Sequence, residues 1–149
     1  MTATNHAITG AIIGALAPIW VTVPIAFLSH IILDAMPHYD DPAMLKRSKK
    51  FKAILIADII GCFIVAVLLI TIQPNHWLNM LVCAFTATSP DFLWIPDYLA
   101  SIQHKKQPNY GPLRRFFARI QWSQTKNGKY VELVWFLGTS ILLHQLIVA

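Results

Sequence analysis

From Ala53 to Ile72 the chain reads AILIADIIGCFIVAVLLITI, with a single charge, Asp58. About 20 apolar residues let a helix cross the hydrocarbon core of a bilayer. No water is present there to satisfy the backbone, so such a segment must pair its own N–H and C=O groups as a helix. Three more apolar regions accompany it. Ala7 to Met36 is interrupted by Pro18 and Pro24, Trp77 to Ile102 contains Pro90 and Pro96, and Val131 to Val148 is uninterrupted. Only 13% of the residues are charged, against about 25% in soluble domains. The chain is therefore expected to be an all-α integral membrane helical bundle. Four apolar regions build it, and residues 1–149 form one transmembrane domain.

The charges are segregated. Lys46, Arg47, Lys49, Lys50 and Lys52 precede the second region. Lys105, Lys106, Arg114, Arg115, Arg119, Lys126 and Lys129 lie between the third and fourth. The connection Gln73-Pro74-Asn75-His76 has neither Lys nor Arg. The positive-inside rule then places basic linkers 46–52 and 105–129 in the cytoplasm, as expected of a multi-pass protein of the cytoplasmic (inner) membrane. The second region runs outward, the third inward and the fourth outward. The basic stretches flank apolar spans and no base-reading module is visible, so nucleic acid is not the expected partner. Residues 116–130, FFARIQWSQTKNGKY, mix aromatic and basic side chains at the boundary. They read as an anchor for anionic lipid headgroups. Cys62 and Cys83 form no CxxC and read as small packing residues. The N-terminal stretch has no basic region of the kind that opens a cleaved signal peptide.

The first region is either one long tilted span or a helical hairpin turning near Pro18 to Thr22. The hairpin is expected, because each half is short for a span and two prolines bracket a break. Gly10 and Gly14 give its first half a small-xxx-small face for close packing. A turn at that depth needs partners for its backbone from the rest of the bundle.

Polar residues stand where lipid is expected. His30 and Asp34 are one helical turn apart and project from one face. Pro37 ends the helix, and His38 follows. His-x3-Asp-x3-His offers two nitrogens and a carboxylate in one arc, a donor set that suits Zn, Mn or Fe, and a divalent transition metal, zinc before the others, is the expected cofactor. Asp40 and Asp41 either orient the imidazoles or form a solvated loop. Asp58 lies at a similar depth to His30. Ser89-Pro90-Asp91 reads as a break in the third region, with Ser89 capping a new helix and Asp91 at its start. Asp97 lies nearer the exit. His6 reaches this end of the bundle only if the first region folds back. His76, His104 and His144 read as ordinary, and Glu132 as a helix-start charge. The expected metal ligands are His6, His30, Asp34, His38 and Asp91. Asp58 and Asp97 remain as carboxylates able to move a proton.

These residues carry a resemblance. NHAITGAIIG, SHIILDAMPHYD and SPDFLW together resemble small bacterial and archaeal membrane proteins described as inner-membrane metal-dependent hydrolases. The resemblance covers roughly the first two-thirds of the chain. Where that family commonly has Leu-Pro-Asp-x-Asp-His, this chain has Met-Pro-His-Tyr-Asp and Ser-Pro-Asp. The resemblance implies a membrane-embedded metal-dependent hydrolase with His6, His30, Asp34, His38 and Asp91 at its centre. A lipid or lipid-linked ester or phosphoester at the cytoplasmic leaflet is the expected substrate. Buried Asp and His beside a broken helix equally describe a metal-ion or proton transporter, which is the competing class. A third class is a structural protein whose polar cluster only locks helices together.

Overall fold

The computed structural model describes residues 1–39, 48–103 and 111–148. Asp40, Asp41, Lys46, Arg47, His104, Lys105 and Lys106 lie outside the described residues. Seven helices are described: α1 (Ala3–Leu16), α2 (Ile19–Ala35), α3 (Lys49–Ile72), α4 (Trp77–Thr88), α5 (Ile95–Ile102), α6 (Pro112–Ile120) and α7 (Gly128–Val148). A short parallel pairing joins β1 (His38–Tyr39) to β2 (Gln124–Thr125).

The first region folds back on itself. Ala17 is extended between α1 and α2, and Pro18 starts the second helix. The turn is thus tighter than Pro18 to Thr22, because Ile19 to Thr22 are already helical. Its backbone groups find their partners on α4. Asn79 Nδ2 donates to the Gly14 and Ala17 carbonyls at 2.7 and 2.9 Å, and Asn79 Oδ1 accepts from Thr22 Oγ1 at 3.1 Å. One side-chain amide therefore satisfies the end of α1 and ties it to the start of α2.

Helix α1 is the hub, packed against α2, α3, α4 and α7. Its glycines explain how. A Cβ at Gly14 would lie 2.6 Å from the Met80 Cα, and one at Gly10 would collide with the Cys83 carbonyl. Backbone meets backbone along this seam, as small residues permit. Around it, Ala7, Ile8, Ala11, Ile12, Leu69, Met80 and Ala84 form the main core. The N-terminus of α1 is held by α3: Asp58 accepts from the Ala3 and Thr4 backbone N–H groups, each at 2.8 Å, and from Thr4 Oγ1.

The third region departs from the expected break. Ser89 has right-handed helical dihedrals and does not cap a new helix. The chain instead tightens into a 3₁₀ stretch, Ser89–Trp94, and runs on into α5. Proline chemistry accounts for this. Pro90 has no N–H to give the Thr86 carbonyl four residues back, and Ser89 supplies both its backbone N–H and its hydroxyl there instead. The helix narrows without ending.

Three stretches are long and apolar enough to cross a membrane: Lys49–Ile72, Trp77–Ile102 and Gly128–Val148. Helices α1 and α2, at 14 and 17 residues, fall short. The first region is a pair of short helices rather than a fourth span. On α3 and α7 most apolar side chains face outward: Phe63 is 68% exposed and Val134 72%. Phe51 stacks on Tyr98, 5.9 Å between ring centroids, so the start of α3 meets the middle of α5. The described parts of both basic linkers therefore share one end of the bundle, opposite the Ala17–Pro18 and Gln73–His76 turns.

Candidate metal centre

The folded-back first region carries His6 to His30 and Asp34, as a hairpin requires. The His6 and His30 rings stack with centroids 4.0 Å apart. Asp34 lies between their nitrogens, with Oδ1 3.1 Å from His6 Nε2 and Oδ2 3.2 Å from His30 Nε2. Asp91 approaches from the 3₁₀ stretch. One ligand atom from each of His6, His30, Asp34 and Asp91 lies within 4.8 Å of every other. All but Asp91 are fully buried. The set offers two imidazole nitrogens and two carboxylates.

The hydrogen bonding fixes the sense of this cluster. His30 Nδ1 lies 2.8 Å from the Ala87 carbonyl, which only accepts, so Nδ1 carries the proton and donates. In a neutral ring Nε2 is then a lone pair aimed at a carboxylate oxygen. Two acceptors at 3.2 Å repel unless a cation, whether proton or metal ion, sits between them. An imidazole held through its distal N–H by a carbonyl is the usual arrangement behind a metal-binding histidine. The same frustration recurs nearby. His6 Nδ1 and Asp91 Oδ2 are buried with no hydrogen-bond partner among the described residues. Such atoms are costly unless something pairs with them. The donors and the orphaned atoms together could hold a metal ion.

Two groups that the sequence did not single out complete the surroundings. Gln121, just past α6, donates from Nε2 to Asp34 Oδ2 at 3.1 Å, and its own Oε1 accepts from Gln124 Nε2 at 3.2 Å. The amino group of Met1 reaches Asp34 Oδ1 at 2.6 Å. Gln121 stands 87 residues from Asp34 in a basic, aromatic linker. Nothing in its local pattern points to the cluster.

The remaining expected residues fall elsewhere. His38 is buried but stands outside the four-residue group. Pro37 turns the chain out of the helix, and His38 enters β1 beside Gln124, with Nδ1 2.8 Å from the Met36 carbonyl. Gly128 presses on the backbone of His38, where any Cβ would collide. Asp58 is taken up in capping α1. Asp97 is buried and pairs with Arg114 of α6. Glu132 offers its carbonyl to Asn5 Nδ2 at 3.3 Å.

Beside the cluster lies a cleft of about 220 Å³. His30 and Asp91 line it together with Asp97, Arg114, Phe117 and Gln121. A larger apolar groove of about 350 Å³ runs between α3 and α7 and is lined by none of these ligands. Comparison with protein-family models, with curated proteins and with solved structures finds no match.

Proposed function

We propose that this chain is a membrane-embedded metal-dependent hydrolase that acts on a lipid or lipid-linked ester or phosphoester at the cytoplasmic leaflet. The observation that carries the reading is the convergence of His6, His30, Asp34 and Asp91 within 4.8 Å, at the wall of a polar cleft. The outward apolar faces of α3 and α7 support membrane insertion, since water-soluble chains rarely expose so much contiguous apolar surface. The basic linkers at the cluster's end support an inner-membrane protein with that end in the cytoplasm.

A divalent transition metal held by the four ligands, zinc by preference, would polarise the scissile group and make a bound water acidic. His30 is held for that task by Ala87, and Asp34 by Gln121. Arg114 lines the cleft beside its ion-pair partner Asp97, and the remaining donors of its guanidinium suit an ester's phosphate. Of the two carboxylates considered for proton transfer, Asp97 faces the cleft and Asp58 is committed to α1. Asp97 Oδ2 pairs with Arg114, which favours the ionised carboxylate, and Oδ1 is buried with no hydrogen-bond partner among the described residues, so a transferred proton would be taken at Oδ1.

Purified protein is expected to hold about one transition metal per chain and to lose it in the His30→Ala, Asp34→Ala double variant. In detergent, where no gradient exists, it should cleave a lipid ester or phosphoester, and Asp34→Asn should abolish cleavage while the helical signal persists. Metal or proton flux in sealed vesicles, with no cleavage across a broad lipid panel, would transfer the site to the transporter class.

A further inference from the structure

Helix α6 divides its residues among three faces. Arg114, Phe117 and Ala118 follow the i, i+3, i+4 spacing of one helical face, and together with Gln121, just past the helix, they line the cleft. Phe117 is buried and stands edge-on to the His30 ring at 5.9 Å. Leu113 and Phe116 share an apolar face that points outward, at 57% and 50% exposure, and Trp122, in the turn that follows the helix, is 78% exposed. Arg115 and Arg119, one turn apart, share a third face, and both are exposed.

We propose that α6 lies on an anionic phospholipid surface and that this docking holds the metal centre in its closed arrangement. The proposal rests on the metal reading above. An amphipathic helix with aromatic and aliphatic residues on one side and arginines on another lies in the plane of the headgroups. Leu113 and Phe116 enter the acyl boundary, Trp122 in the following turn anchors at the interface, and Arg115 and Arg119 meet negative headgroups. The partner is lipid because α6 packs on α2 at the end of the bundle that carries the basic linkers, where its arginines complement anionic headgroups. Docking at the outer faces fixes the inner one, which places Phe117 on His30 and Gln121 on Asp34. Lipid and metal then bind cooperatively, each strengthening the other by one coupling factor.

The test compares zinc affinity in nanodiscs of phosphatidylcholine alone with discs that also contain phosphatidylglycerol, read by competition with a fluorescent chelator. Zinc should bind about five- to tenfold tighter in the anionic discs. Anionic lipid also concentrates zinc at any surface, so the Arg115→Gln, Arg119→Gln variant serves as the reference. It should lose most of the lipid dependence while keeping the affinity seen in neutral discs. Equal affinity in both discs, or full lipid dependence in the double variant, overturns the proposal. Hydrogen exchange along α6 separates the two readings without metal: anionic discs should slow it. If zinc fails to bind in every disc, the metal reading falls and the coupling with it. Unchanged exchange then removes the lipid docking as well.

Discussion

At the scale of single residues, the centre depends on groups that ligate nothing. Ala87 orients His30 through a backbone carbonyl, and Gln121 holds one oxygen of Asp34. Removing a supporting hydrogen bond behind a metal ligand costs about 10–100-fold in affinity. Gln121→Ala is expected to weaken zinc binding by that factor without unfolding the bundle, since Gln121 is only half-buried. Chelator competition checks the affinity and circular dichroism the fold. An unchanged affinity would reduce Gln121 to a packing residue. Asn79 plays a comparable part at the far end. The hairpin needed polar partners for an apolar turn, and a side chain about sixty residues away supplies them. His30 and Asp34 announced themselves by their spacing. Gln121 and Asn79 did not, because a hydrogen bond between distant segments leaves no periodic trace in sequence.

At the scale of elements, the 3₁₀ stretch sets the position of Asp91. Pro90 denies Thr86 its usual donor, the chain tightens, and Asp91 is rotated from its α-helical direction. Pro90→Ala restores that donor and should return the stretch toward α-helix. Stability is expected to hold or rise, while zinc affinity falls about tenfold or more as Asp91 turns away. Thermal unfolding and zinc titration of the one variant separate the two effects. A stable variant with unaltered zinc affinity would show that the 3₁₀ turn does not place the ligand. The Ser-Pro pair was visible in sequence, yet its consequence was not. The same pair suits a capped helix start or a tightened continuation, and the choice depends on whether the chain on either side stays coaxial.

At the scale of the whole molecule, α1 gathers the other helices, and the polar centre forms at the end that carries the basic linkers. Single cysteines at Lys49 and Lys126, in a background without Cys62 and Cys83, should label from the cytoplasmic face, and one at Gln73 from the opposite face. Labelling of Lys49 and Gln73 from the same side would overturn the three-span topology. The sequence alone determined the helical class, the long apolar stretches and the expected orientation. These depend on local composition and on charge counted along the chain, and both survive without coordinates. It also brought His30 and Asp34 together, since helical spacing is local. Only the tertiary structure decided that His6 and Asp91 join them, that His38 stands apart, and that Asp58 caps a helix. Those outcomes depend on where three separate segments meet. Backbone contact at Gly10 and Gly14, and the turn tied down by Asn79, decide that meeting.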